Sequence, residues 1–255
     1  MEAAERIAEM GAAATAGAGA AAGAAAERGS VPIVDVLRDA IRQRLLPPGM
    51  PLVQGALADA LGVSRVPVRE ALQYLASEGL VTFADDGARV TELSAEEIRE
   101  LWSLRALVEP PMAPGIVERA TPAEVERLRD LVAQMDAAEG DAWSDLNYVF
   151  HRELARVSRM PHYAAVALRV LTQIEPYSRG VINDLAGRPP AQAEHHEMIA
   201  ALDRRDADAL REVLQRHSLR AGELLAGFAE GAEPPAAEDA VAEAARSFAA
   251  RLLQG

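Results

Sequence analysis

The stretch "LGVSRVPVREALQYLASEGLV", Leu61–Val81, sets two arginines, Arg65 and Arg69, four residues apart. Four residues is about one helical turn, so the two side chains share a face. Val68, Leu72 and Leu75 repeat at the i, i+4, i+7 spacing of a buried stripe. The spacing predicts a helix that packs with one side and presents two guanidiniums on another. Ser64 stands where an N-cap belongs. Pro67 then falls in the first turn, where its missing N–H removes no hydrogen bond.

The neighbouring segments extend this into one unit over residues 31–93. Upstream, "QGALADALG" predicts a short helix with Gly62 as its C-cap. Before it, Val34, Leu37, Ile41 and Leu45 form a helical stripe, ended by "LPPGMPL". Downstream of Gly79, "LVTFADDGARVTEL" reads as strand, tight turn at Asp86-Gly87, strand. Three helices followed by a hairpin make a winged helix-turn-helix.

The rest of the chain reads as helix. Ser94–Glu97 and Thr121–Glu124 have the pattern of capping boxes, the second with Pro122 at its first helical position. Further helices are expected over 142–158, 161–175, 190–204 and 206–228, with Asp206 capping the last. Residues 94–230 are therefore expected to form an all-α domain. Pro110, Pro111 and Pro114 should break or kink the helix they fall in. Residues 1–30 are mostly Ala and Gly and read as a disordered extension. Residues 231–255 read as the linker "GAEPPAAED" and an amphipathic helix over 238–253, through Val241, Ala245, Phe248 and Leu252. The fold class is thus mostly α, a winged helix-turn-helix followed by a helical bundle.

Composition narrows the chemistry. The 255 residues carry a net charge of −13, so any nucleic-acid binding must be local. All 26 basic residues are arginine, and there is no cysteine. Disulfides, thiol catalysis and thiolate metal sites are excluded, which leaves His, carboxylate or amide oxygen for any metal. No apolar run is long enough to span a bilayer, and no basic region precedes an apolar core at the N-terminus. A cytoplasmic protein is expected.

A helix fits the major groove, and the second helix of a helix-turn-helix reaches base edges with its N-terminal residues. Arginine there makes two hydrogen bonds to guanine O6 and N7. Arg65 and Arg69 occupy such positions, and Gln73 extends the row. Gly87, at the hairpin tip, lets backbone approach a phosphate or a minor groove. Charge opposes this reading. Residues 31–93 hold six arginines and eight acids, a net of −2, and Arg65 and Arg69 as solvated residues, with Arg69 paired to a nearby acid, is the alternative.

Residues from "LPPGMPL" through "LGVSRVPVREALQYLASEGLV" closely resemble the DNA-binding domain of the GntR family of bacterial transcription regulators. The resemblance spans about 60 residues, and the helical remainder resembles the FadR-type branch, whose second domain binds a small-molecule effector. It implies that Arg65 and Arg69 read bases, and that Ser64 and Gly87 contact phosphate or groove. Gly55 departs from the polar or charged residue usual at the start of the second helix.

Five histidines remain, at 151, 162, 195, 196 and 217. Asn147 and His151 are four apart on one helix and share a face. His195 and His217 lie on the next helices. Three imidazoles and an oxygen converging inside a bundle suit Zn²⁺, Ni²⁺ or Mn²⁺. Taken singly, each is more often a surface or core histidine than a ligand. Resemblance to the branch implies that Asn147, His151, His195 and His217 are metal ligands in the effector pocket, with Asn147 replacing the usual Asp. His196 then faces elsewhere. A metal-free polar pocket is the alternative.

The same resemblance places Arg105 at the pocket, suited to a small carboxylate, with Arg179 as a second candidate. A salt bridge from Arg105 to Glu109 is the rival reading. The whole reads as a ligand-responsive regulator that binds an inverted-repeat DNA operator as a homodimer. Its rivals are a metal-dependent enzyme and a DNA-binding protein whose helical domain only dimerises.

Overall fold

The computed structural model describes residues 30–182 and 188–231. The expected N-terminal arm, and the expected helix over 238–253, lie outside the described residues. The chain divides into two compact units between Glu92 and Leu93.

The first unit contains α1 (Ser30–Arg42), α2 (Gln54–Leu61), α3 (Arg65–Ser77), β1 (Val81–Ala84) and β2 (Gly87–Val90). Its core joins Leu37 and Ile41 of α1, Leu57 of α2, Val68, Leu72 and Leu75 of α3, and Val81 and Val90 of the hairpin. Each such side chain contributes roughly 1.5–3 kcal/mol of burial. α1 stops at Arg42, and Arg44 turns to φ 59°. That turn carries Leu46 rather than Leu45 into the fully buried position. Gly62 ends α2 in the left-handed conformation, φ 65°. Only three residues, Gly62, Val63 and Ser64, then separate α2 from α3, which makes the tight helix-turn-helix corner.

The strands pair antiparallel, Val81 with Val90 and Ala84 with Gly87. This register puts the two-residue turn at Asp85-Asp86, one residue earlier than the expected Asp86-Gly87. Gly87 instead opens β2 with φ 121°, a conformation that a side chain would strain. Leu52 donates to Ala88 and Val90 to Met50, so the 50–52 segment flanks β2.

The second unit is all helix: α4 (Ala95–Val108), a 3-10 turn (Pro110–Met112), α5 (Ala113–Arg119), α6 (Pro122–Ala137), α7 (Gly140–Val157), α8 (Pro161–Ile182), α9 (Arg188–Asp203) and α10 (Ala207–Gly231). Both capping boxes form, Ser94 with Glu97 and Thr121 with Glu124. Asp206 accepts from the Ala209 N–H at 3.0 Å, capping α10. The three prolines do interrupt helix, producing the 3-10 turn between α4 and α5. α8 runs on past the expected end and carries Pro176 inside it. Burial of Ile174 and Ser178 on either side of the proline outweighs the one backbone hydrogen bond it removes.

α10 packs along α4, and one glycine permits the closest approach. A Cβ on Gly222 would lie 2.7 Å from the Cβ of Trp102, closer than two carbons can sit. The missing side chain therefore sets the position of Trp102, and with it the helix face that carries Arg105.

Candidate nucleic-acid interface and metal centre

On α3 the sides separate as the spacing predicts. Val68, Ala71, Leu72 and Leu75 are buried, whereas Arg65, Arg69 and Gln73 are exposed in a row. Pro67 lies in the first turn. Ser64 occupies the N-cap position with extended backbone, yet its hydroxyl makes no cap hydrogen bond. Ser64 is exposed.

Three of the unit's six arginines are paired with its acids. Arg38 binds Glu78 at 2.9 Å, Arg42 binds Asp39 at 3.2 Å, and Arg89 binds Asp86. Among the described residues neither Arg65 nor Arg69 has an ion-pair or hydrogen-bond partner, so the expected alternative of an acid beside Arg69 is not seen. The paired arginines lie off α3, which exposes Arg65 and Arg69 together with Glu70. Gly55 takes part in this. The guanidinium of Arg65 lies across it, with Nη2 only 3.2 Å from where a Cβ would stand. At Gly87 the surrounding space is open.

In the second unit three helices converge. His151 comes from α7, His195 from α9 and His217 from α10. Their ring centroids lie 5.0–5.3 Å apart, and one ligand atom of each falls within 4.8 Å of the others. All three are buried, at 3%, 0% and 4% exposure; Phe150 packs on His151 and His195, and Trp143 stacks on His195. Burial is the largest cause pushing each imidazole pKa below its ordinary value, well below for His151 and His195. The nearby Arg105 adds to this in all three, and Glu194 opposes it at His217. The rings are therefore neutral at neutral pH, the form that binds metal.

Buried polar atoms around the cluster lack partners. They are both ring nitrogens of His151, Nε2 of His195, Oδ1 of Asn147, Nη2 of Arg105 and Nε1 of Trp102. Leaving such atoms unpaired costs about 1–3 kcal/mol each. Lone pairs on three neutral imidazoles and an amide oxygen form a donor set that a divalent cation satisfies. A divalent cation bound here would be held by the three rings, with the Asn147 oxygen as a fourth donor. The residues present fit the group.

Asn147, His217, Trp102, Trp143 and Arg105 line one cavity with Glu175, Ser178 and Arg220. Its volume is about 10 Å³, room for a single water-sized guest. Arg105 lines the cavity and also makes the salt bridge to Glu109. Its Nε donates to Glu109 at 2.6 Å, and its Nη2 stays unpartnered. Its guanidinium lies 5.0 Å from the Trp102 ring. Arg179 is not among the lining residues. It is held by Asp145 and by Asp141 at 3.2 Å, tying α8 to α7. His196 is exposed, 3.0 Å from Asp136. Residues the spacing did not single out are Trp102 and the two acceptors that hold the rings. Glu194 takes Nδ1 of His217 at 2.8 Å, and Gln192 takes Nδ1 of His195 at 3.3 Å. The i, i+3 interval from Gln192 to His195 was the available signal.

A winged helix-turn-helix whose second helix exposes two unpaired arginines, together with a helical unit that encloses a cavity lined by polar side chains, defines a DNA-binding transcription regulator with an effector domain. Residues 30–89 match the model of bacterial regulatory proteins, gntR family, and residues 100–220 match the FCD domain. The chain belongs to the GntR family. It is 29% identical over 184 residues to an uncharacterized HTH-type transcriptional regulator in unstable DNA locus of Streptomyces ambofaciens, covering 71% of this chain and 78% of that one. A relative from Agrobacterium vitis, an uncharacterized HTH-type transcriptional regulator in the TAR-I ttuE-ttuC' intergenic region, is 30% identical over 126 residues, 46% of this chain and 74% of its own. The solved structure of E. coli McbR/YncC shares the fold with a TM-score of 0.70 at 24% identity, over 78% of this chain and 97% of that one. These relatives are regulators, not enzymes. No described helix is long and apolar enough to cross a membrane.

Proposed function

We propose that this regulator acts in the cytoplasm as a homodimer on a short inverted-repeat operator, and that it senses a small carboxylate at a divalent metal held by Asn147, His151, His195 and His217. In this reading Arg65 and Arg69 read bases, Gln73 extends the contact, and Ser64, Pro67 and Gly87 shape the approach to the phosphate backbone. A two-fold dimer requires a two-fold site. Zn²⁺, Ni²⁺ and Mn²⁺ all suit the donor set.

One observation carries the effector half: the convergence of three buried neutral imidazoles with an unpartnered Asn147 oxygen and a half-free Arg105. The charged groups lining the cavity are each beside an opposite charge, Arg105 with Glu109, Arg220 with Glu194 and Glu175 with Arg179 at 3.9 Å. A carboxylate entering this cavity alone would have no uncompensated cation. A divalent ion adds two positive charges, and an anionic effector then restores balance. Arg105 Nη2 and the Trp102 indole N–H, both donors, are left to bind the effector oxygens. Arg179 braces the wall behind them. A metabolite larger than one water enters only by moving the lining helices, α4 and α10 among them. That movement gives the effector its differential affinity for two states.

Thermal unfolding tests this. Small carboxylates and sugar acids are screened against chelator-stripped and Zn²⁺-reloaded protein. A ligand at 100 times its Kd adds about 2.7 kcal/mol, which raises Tm by several degrees. Shifts are expected in the metal-loaded protein alone. Equal shifts in both preparations would remove the metal from the effector site.

A further inference from the structure

We propose that Gln192 is a positioning residue that holds His195 in its Nδ1–H tautomer and so aims the Nε2 lone pair into the three-histidine cluster. The proposal rests on the metal reading above.

The orientation of the Gln192 amide is decided by three neighbours with only one hydrogen-bonding role each. Its Nε2 donates to the Val132 carbonyl at 3.0 Å and to Asp136 Oδ1 at 2.8 Å, neither of which can donate. Its Oε1 accepts from Trp143 Nε1 at 3.2 Å, a group that cannot accept. The same Oε1 lies 3.3 Å from Nδ1 of His195. With the amide so fixed, Nδ1 must carry the proton. A neutral imidazole has one N–H, so Nε2 is left as a bare lone pair. That atom is buried and has no protein partner. It belongs to a ring 5.0 Å from His217 and 5.3 Å from His151.

His217 reaches the same tautomer by another route. Its Nδ1 meets Glu194, a carboxylate that Arg220 also grips at 2.7 and 2.8 Å. One ligand ring is thus held by an amide and the other by an ion-paired carboxylate. An acceptor behind a ligand histidine fixes its tautomer and orientation and raises its basicity. Gln192 does this for His195 from the first turns of α9, and its own anchors, Val132 and Asp136, lie on α6. The packing of α6 on α9 therefore sets the aim of the His195 ring through Gln192.

The test uses full-length protein with ¹⁵N-labelled histidine, stripped of metal. Long-range ¹H–¹⁵N spectra report the tautomer of each ring directly. The wild type is expected to show His195 as Nδ1–H. Gln192→Leu removes the acceptor, so tautomers mix and Zn²⁺ affinity, read by competition with a chromophoric chelator, falls about 10–100-fold. Gln192→Glu combined with Asp136→Asn restores the acceptor and gives it an amide donor in place of the Asp136 carboxylate, and it is expected to keep both the tautomer and the affinity within a few-fold. This rescue separates positioning from packing, since the fold is checked by unfolding of each apo variant. An Nε2–H His195 in the wild type overturns the proposal even where Gln192→Leu fails to fold. So does a folded Gln192→Leu that binds Zn²⁺ as the wild type does. An Nδ1–H tautomer in a wild type that binds no metal supports the Gln192 assignment and overturns the metal reading alone.

Discussion

Replacing Arg65 and Arg69 together by alanine is expected to weaken binding to a selected operator by about 2–6 kcal/mol, because each bidentate arginine–guanine contact discriminates by about 1–3 kcal/mol. That is roughly 30-fold to 10⁴-fold at fixed salt. Binding to scrambled duplex should fall far less, because only the general attraction to phosphates is reduced there. The prediction is sharp because both guanidiniums are exposed and unpaired, so their removal strands no buried acid and leaves the α3 core of Val68, Leu72 and Leu75 intact. Titration of labelled operator and scrambled duplex, selected first from a random pool, provides the check. Equal losses on the two would reduce these arginines to phosphate contacts.

The second large effect is expected from His195→Gln. Removing a supporting hydrogen bond behind a ligand costs about 10–100-fold in metal affinity, and removing the ligand nitrogen should cost more. Calorimetry or chelator competition reads the loss directly. A pH signature accompanies it. Burial lowers the pKa of all three histidines. Below about pH 6.5 the unfolded chain therefore takes up protons that the folded chain refuses. The stability of the metal-stripped protein is full above that pH and is lost as the pH falls towards the folded-state values. Each histidine adds at most about 1.4 kcal/mol per pH unit to the slope. His195→Gln removes one share, so its unfolding free energy should fall less steeply between pH 7 and 5.5. Unchanged Zn²⁺ affinity in this variant would mean that His195 is core packing.

The sequence shows the two faces of α3 plainly, because helical period alone separates Arg65 and Arg69 from Val68 and Leu75. It shows the capping boxes and the proline break after α4 for the same reason: each is a local pattern with one physical meaning. What it hides are choices made by tertiary packing. The hairpin turn lies at Asp85-Asp86 because the register pairs Ala84 with Gly87, and local turn preference cannot distinguish that from a turn one residue later. Pro176 ends no helix because neighbouring side chains are buried on both sides of it. The net charge of −2 over 31–93 argues against DNA binding until pairing is known. Three of the six arginines are then seen to be neutralised, none of them on α3.

Within the helical unit the histidines are visible as residue types, and Asn147 with His151 as a helical pair. Their convergence is not, since it depends on how α7, α9 and α10 cross. The supporting residues are harder still. Gln192 finds its anchors 60 and 56 residues away at Val132 and Asp136. Trp102 owes its position to the absence of a side chain at Gly222. Such partnerships have no sequence signature.

The central claim is that one chain couples a metal-held carboxylate to DNA affinity. It is tested most directly by titrating operator DNA at constant salt with protein that is metal-stripped or Zn²⁺-loaded, each with and without a carboxylate identified by thermal shift. The account predicts that the carboxylate shifts operator Kd by about 5–150-fold, the usual 1–3 kcal/mol of coupling, in the metal-loaded protein alone. The carboxylate's own affinity must then change by the same factor when operator is bound. A carboxylate that binds the metal-loaded protein and leaves operator Kd unmoved would contradict it.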